Sequence, residues 1–410
     1  MDTALKNNQF RQNTTTARGF LLTLDHLSAW HGTEVVEAAN QWFSATHFST
    51  KDNEMARVKG RVSINRLDEN AVPIHLLASE PFIAQNFPDF QKTIHPKLYG
   101  IEGGFVFPKA DWSVLTAKGR LLAQDSAIDI DKIAARLGHE PNLGRHGVRV
   151  DEEIQMHGDR RVVVIGGSEN WYDCVVYFLP KLLAIYECGL IKNGWCVALD
   201  DNKSNLLHSV VDLLNIPKSQ IILLNRKHVH FFPSAIYMPN MNSIEGFLHP
   251  FCIELYRRLS DRVAIVGNAS FSERIFISRE NIGRRELLNE YELHEGLKQR
   301  GFVIIHPERF GMAQQIYIFK RAKFISGVHG AGFVNSVWSR HLEKILEISY
   351  GRRKGQETLD KSIRKMTMTL GASHIYFIAS ERDTEKPGFH FGNFRINPKS
   401  FFRGFDKVFS

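Results

Sequence analysis

Gly327-Val328-His329-Gly330-Ala331-Gly332-Phe333-Val334-Asn335 is the stretch on which the reading of this chain turns. It follows the apolar run Lys323-Phe324-Ile325-Ser326 and leads into Phe333–Ser339, which has the pattern of a short helix. A strand that ends in closely spaced glycines and opens a helix offers backbone N–H groups and a positive helix end with no Cβ in the way. That arrangement suits a phosphate. Packing alone also produces glycines at tight strand-to-helix turns, so the turn has to be weighed with its neighbours. The dinucleotide fingerprint GxGxxG is absent in this order, and Glu343 and Glu347, the acids nearest its usual spacing, fall beside or in the next strand. NAD binding loses its main support.

Strands and helices alternate outward from this turn. Before it come strand Arg274–Ser278, helix Asn289–Arg300, strand Phe302–His306, helix Met312–Ala322 and strand Phe324–Ser326. After it come strand Lys344–Ser349, helix Gln356–Leu370, strand His374–Ala379 and a helical pattern over Pro398–Phe409. An earlier alternation begins with strand Arg161–Ile165, closed by Gly166-Gly167-Ser168, and helix Asn170–Glu187 with a kink at Pro180. It continues through strand Trp195–Leu199, helix Lys203–Leu214, strands Gln220–Leu224 and Phe231–Met238, and helix Pro250–Leu259. Alternation at this spacing implies parallel βαβ units.

Upstream, short apolar runs at His75–Ala78, Gly103–Pro108, Ser113–Thr116 and Leu121–Ala123 read as strands, followed by helix Ile130–Leu137. The first 70 or so residues suggest no chemistry. The expected fold class is α/β, with two Rossmann-like domains and a small β-rich N-terminal region. Its segments are 1–158 (short strands), 159–268 (a Rossmann-like acceptor-side domain), 269–395 (a Rossmann-like donor domain) and 396–410 (a C-terminal helix). Parallel sheets receive ligands at the carboxyl ends of their strands, so two such domains are expected to face one another across a cleft.

The 410 residues are enough for two or three cores, and 43% apolar with 23% charged residues is a globular composition. Fifty-two basic against 44 acidic residues leave a formal charge of +8, which favours anionic partners without choosing among them. The basic residues are dispersed, not striped with aromatics, which argues against nucleic acid. Cys174, Cys188, Cys196 and Cys252 form no CxxC and sit in apolar surroundings, as core thiols in a reducing compartment do. No apolar leader or 18-residue apolar run stands out, so a cytoplasmic protein is expected, with a basic surface able to rest on the inner face of a membrane.

Arg274, Arg279, Arg284 and Arg285 add positive charge beside Ser278 at the end of a strand, where guanidinium forks grip phosphate in pairs of hydrogen bonds. Several groups recur here in order and spacing. They are Arg274-Ile-Phe-Ile-Ser278-Arg279, Arg284-Arg285-Glu286-Leu-Leu-Asn289-Glu290, Gly301-Phe302 with Pro307-Glu308, Gln314-Gln315-Ile316 with Phe319 and Ala322, and the Gly327–Asn335 turn. Together they resemble glycosyltransferase family 61, most clearly over about 270–350. A fainter likeness over about 100–270 includes Ser168-Glu169-Asn170-Trp171-Tyr172 and Leu179-Pro180-Lys181-Leu182.

The resemblance implies a GT-B-like pair of Rossmann domains and an inverting transfer from a nucleotide sugar to a glycan or lipid-linked saccharide. The chain departs from the family by having Asp173 and Tyr177 where members commonly have histidine and aspartate. Candidate catalytic residues are Asp173, as base, Glu169 and His329. Candidate donor-binding residues are Ser278, Arg279, Arg285, Gly330, Ala331, Gly332, Asn335, Glu308, Gln315 and Glu347. Asn170, Trp171 and Tyr172 are candidates for the acceptor. No DxD motif lies at a strand end near these groups, so no metal or other cofactor is expected. Two other readings stay open. One is another enzyme of activated sugars, such as a polysaccharide pyruvyl transferase or a nucleotide-sugar epimerase; the other is a non-catalytic glycan- or nucleotide-binding scaffold.

Overall fold

The computed structural model of the chain describes residues 20–23, 99–110, 112–116, 121–122, 147–150, 153–158, 160–187, 189–192, 194–201, 205–238, 240–242, 246–264, 272–350, 362–379, 381–382 and 392–409. The strand expected at His75–Ala78, the helix expected at Ile130–Leu137 and Cys188 lie outside these residues. The chain divides into two compact units. Unit 1 comprises residues 1–79, 88–169 and 177–243, and unit 2 comprises 80–87, 170–176 and 244–410.

In unit 1, β1 (Phe20–Thr23) pairs antiparallel with β5 (Gly147–Val150). The main sheet runs β4 (Leu121–Leu122), β3 (Ser113–Thr116), β2 (Tyr99–Phe107), β10 (Val229–Tyr237), β7 (Val162–Gly166), β8 (Cys196–Asp200), β9 (Ile221–Leu224), with β6 (Ile154–Met156) also on β10. Strand β10 is parallel to β7 and antiparallel to β2, so the β-rich strands and the first parallel strands share one sheet. The central strands Val162–Gly166 and Cys196–Asp200 are buried along their whole length, as near-continuous apolar runs require. Helices α2 (Leu179–Glu187) and α3 (Asn205–Leu213) belong to this unit.

From unit 2 back into unit 1 the chain runs as α1 (Trp171–Asp173), a π-helical turn (Cys174–Phe178) and then α2. The irregularity expected at Pro180 thus falls just before it. Proline has no N–H and its ring crowds the carbonyl four residues back, which is Val176, and a widened turn relieves that clash.

Unit 2 is the more regular. Strands β11 (Arg274–Ile277), β12 (Val303–Ile305), β13 (Phe324–Val328), β14 (Lys344–Tyr350) and β15 (Ser373–Ala379) form one parallel sheet in the order β12-β11-β13-β14-β15. Its helices are α4 (Pro250–Arg262), α5 (Tyr291–Gln299), α6 (Met312–Phe319), a 3-10 helix (Ala331–Trp338), α7 (Ser362–Thr369) and α8 (Pro398–Phe409). A small pair, β16 (Glu381–Arg382) and β17 (Phe394–Arg395), is antiparallel. In α8, Phe401, Phe405 and Phe409 recur every four residues and are buried with Phe276, Leu297, Phe302 and Leu346. Each such ring stabilises the unit by about 1.5–3 kcal/mol relative to exposure.

The strand order has a consequence for binding. From β11 the chain crosses to β12 on one side and then returns to β13 on the other. The loops leaving β11 and β13 therefore diverge, and a crevice opens at their carboxyl ends. Ser278-Arg279 leaves β11 and His329-Gly330 leaves β13 at that point.

Candidate functional site

At this edge the two most informative features of the sequence meet. A Cβ placed on Gly330 would lie 2.2 Å from Arg279 Nη1, so the glycine is where it is because the guanidinium lies against its backbone. Gly330 has φ 170 and ψ 174, extended backbone open to any residue, so close approach and not backbone strain explains it. Gly332 is similarly hemmed in, since its Cβ would lie 3.0 Å from Ile277 Cγ2 and 3.5 Å from Pro307 Cγ. The expected α-helix at Phe333–Ser339 is instead a 3-10 helix over Ala331–Trp338 with Gly330 as its cap. Its first N–H groups have no acceptor within the helix and stand at the strand end.

Arg279 is held in place from several directions. Its Nη2 donates to Arg284 O at 3.0 Å, and its backbone N donates to Glu290 Oε2 at 3.2 Å. Its Nε is buried with no hydrogen-bond partner among the described residues. Burial, and then the nearby Arg285 and Arg284, lower its pKa to about 10, so it keeps its charge at neutral pH. Arg285 adopts a positive φ of 54, and the backbone there bends so that three arginines converge near one strand end. The carboxylates of Glu286 and Glu290 offset part of this positive charge.

His329 follows β13 and is buried. Its Nδ1 donates to Glu347 Oε1 at 2.5 Å, while His374 Nε2 donates to Glu347 Oε2 at 2.9 Å. Glu347 is 1% exposed; burial pushes its pKa up, but the hydrogen bonds from both histidines more than offset this and hold it below the usual value. Glu347 was expected as a donor-binding acceptor; both of its oxygens instead face histidines within the unit, which fixes the tautomer and direction of His329. Asn335 and Gln315 are likewise hydrogen-bonded within the unit. Asn335 Nδ2 donates to Gln315 Oε1 at 2.9 Å, Trp338 Nε1 donates to Asn335 Oδ1 at 3.0 Å, and Gln315 Nε2 donates to Phe310 O at 2.9 Å. Both side chains are buried and brace the turn from beneath.

The structure places the other candidates as follows. Trp171, Tyr172 and Asp173 form α1, which lies against the 3-10 helix within unit 2. Asn170 Oδ1 accepts from Tyr172 N at 2.9 Å and caps that turn. Glu169 is exposed and belongs to unit 1. Glu308 is exposed, with Oε1 3.6 Å from His306 Nδ1.

The glycine turn of unit 1 has a different character. Gly167 O accepts from Trp112 Nε1 at 2.7 Å and Arg226 Nη2 at 3.1 Å, and Arg226 also pairs with Asp200. A Cβ on Gly166 or Gly167 would strike Trp112 or Asp200. This turn is packed shut by its own unit.

Four residues of interest were missed in the sequence: Glu280, Glu290, His294 and His374. Glu290 and His294 carry a readable signal, the four-residue spacing that puts two side chains on one helical face. His374 pairs with Glu347 across adjacent strands, and no local pattern announces that pairing. Burial pushes the Glu290 carboxyl up to about 7, against the lowering effect of hydrogen bonds from Ser278 and Arg279.

A parallel sheet in this order, with arginine and glycine closing on one crevice edge, defines a Rossmann-like α/β unit. Residues 171–346 match the family model described as Glycosyltransferase 61. Over that span the chain is similar to glycosyltransferase family 61, and a domain of this family supports a glycosyltransferase activity. Among curated proteins none matches the chain. No helix among the described residues is long and apolar enough to cross a membrane.

Proposed function

We propose that the chain moves a sugar, with inversion, from a nucleotide-sugar donor to a glycan or lipid-linked saccharide acceptor in polysaccharide synthesis. The observation that supports this most is the contact between Arg279 and Gly330 at the crevice edge of the parallel sheet. Departure of a nucleotide leaves negative charge on the bridging phosphate oxygen. Arg279, Arg285 and the N–H groups that open the 3-10 helix neutralise it, so the leaving group needs no metal of its own.

In the proposed reaction, Asp173 takes the proton of the acceptor hydroxyl, whose oxygen bonds to the anomeric carbon as the bond to the donor phosphate breaks. The placement of α1 against the 3-10 helix is consistent with this role, because it sets Asp173 in the same unit as the phosphate edge. His329, whose Nδ1–H is donated to Glu347, presents Nε2 as an acceptor for a sugar hydroxyl. The two units acting as acceptor and donor sides of a GT-B-like pair, and a cytoplasmic setting at the inner face of a membrane, belong to the same proposal.

A thermal-shift screen against nucleotides and nucleotide sugars tests it, since a ligand that binds only the folded state raises the melting temperature. Asp173→Asn is expected to keep that ligand shift and lower transfer by about 10²-fold or more. A panel without any stabilising nucleotide rejects the donor class, and unchanged transfer removes Asp173 as base.

A further inference from the structure

Beside the arginine edge, unit 2 contains a second cluster with different chemistry. Glu280 lies on the loop after β11, Glu290 immediately precedes α5, and His294 lies one turn into that helix. His294 Nε2 is 3.6 Å from Glu280 Oε1 and 3.7 Å from Glu290 Oε1, and one ligand atom from each residue fits within a 4.8 Å span. These separations are too long for good hydrogen bonds. They are close to the roughly 3.3–3.4 Å between neighbouring ligands of a tetrahedral ion with bonds of about 2.0–2.1 Å.

Independent support comes from unsatisfied atoms. Glu290 is 1% exposed, and its Oε1, unlike its Oε2, has no hydrogen-bond partner. His294 Nε2, which faces that oxygen, also has none. Buried polar atoms are almost always paired, and two orphans facing each other call for a bound ion or water. Glu280 and His294 are partly exposed, which gives an ion a way in.

We propose that Glu280, Glu290 and His294 form a zinc-type divalent cation site that ties the loop after β11 to the start of α5. One imidazole nitrogen and two carboxylate oxygens suit a borderline transition ion, whereas calcium and magnesium prefer six or more oxygens. The ion would fix Glu290, whose other oxygen holds the backbone of Arg279. It would therefore act by positioning, with no step of sugar transfer passing through it. The inference goes beyond the proposed transfer and stands or falls separately from it.

The test uses the full chain, stripped with a chelator and then titrated with zinc by calorimetry, with metal content after dialysis read by mass spectrometry. One zinc retained per chain and a raised melting temperature are expected. Glu280→Gln and His294→Ala, both partly exposed and so tolerant of change, should each weaken zinc binding at least about tenfold while circular dichroism stays native. Glu290→Gln should do the same. A stripped protein that retains no zinc overturns the site, as does zinc held undiminished by Glu280→Gln and His294→Ala. Equal stabilisation by magnesium or calcium overturns the choice of ion class.

Discussion

Gly330→Ala isolates the contact on which the functional reading rests. The new methyl carbon would lie 2.2 Å from Arg279 Nη1, 3.1 Å from its Cζ and 3.4 Å from its Cδ. Nη1 must retreat by about 1.2 Å to reach an ordinary 3.4 Å contact. The guanidinium is not free to swing away at no cost, because Nη2 is bonded to Arg284 O and the chain at Arg279 is held by Glu290. The backbone at Gly330 is extended, so alanine is tolerated there and the fold should persist. If Arg279 grips a phosphate, the displacement loses a charge-assisted contact of about 1.5–3 kcal/mol. That corresponds to a nucleotide Kd about 10- to 150-fold weaker. Calorimetry with the nucleoside diphosphate chosen by the thermal-shift screen measures it, with the melting curve of the free variant as fold control. Arg279→Ala should weaken binding by a similar factor, and the double variant should be no worse than Arg279→Ala alone, since both act through one side chain. A Gly330→Ala Kd within twofold of the parent, or a full extra loss in the double variant, refutes the reasoning.

Three further outcomes follow from the buried polar groups. Asn335→Ala strands Gln315 and Trp338 without their partner, and at about 1–3 kcal/mol per buried orphan the variant should lose about 2–5 kcal/mol in chemical denaturation; a neutral variant would contradict the bracing role. Glu347→Ala leaves two histidines facing a vacated carboxylate position and should cost about 3–5 kcal/mol. Because Glu347 is held below its usual pKa, its stabilising effect is complete above the ordinary carboxylate value and drains as the pH falls through the lower one, so the gap between parent and variant should close in acid. Glu290 behaves in the opposite sense. With its pKa raised from 4.5 to about 7, its contribution is complete below 4.5 and is lost as the pH rises towards 7, at up to about 1.4 kcal/mol per pH unit. In metal-free protein, Glu290→Gln should flatten that slope, and denaturation curves with the same slope in parent and variant would rule the effect out.

Much of unit 2 could be read from its residues. Arg274–Ile277, Phe324–Val328 and Lys344–Tyr350 are short apolar runs closed by glycine, serine or charge, and every one is a strand. The strand order was not legible, because alternation says only that strands are parallel and the side of each crossover depends on packing. The 3-10 helix at Ala331–Trp338 was read as an α-helix starting later, since its apolar residues mimic helical spacing while two nearby glycines tighten the turn. The sharing of one sheet by β2 and β7 depends on β10, which lies between them in space but more than 60 residues after β7 in the chain. Such pairings leave no local trace.

The site candidates that are hydrogen-bonded within the unit share one physical pattern. Sequence assigns polar residues near a glycine turn to the ligand, but a turn whose backbone groups face outward must itself be supported by buried polar groups from behind. Asn335, Gln315 and Glu347 have their hydrogen-bonding capacity used within the unit, so they hold the turn and His329 in place. Arg279 is different: burial opposes its charge, two more arginines lie nearby, and its Nε finds no acceptor. Glu286 and Glu290 offset part of that positive charge, and the phosphate proposed above would meet the rest. Satisfaction of hydrogen bonds, more than proximity to the motif, separates Arg279, the proposed phosphate contact, from the residues that shape the edge around it.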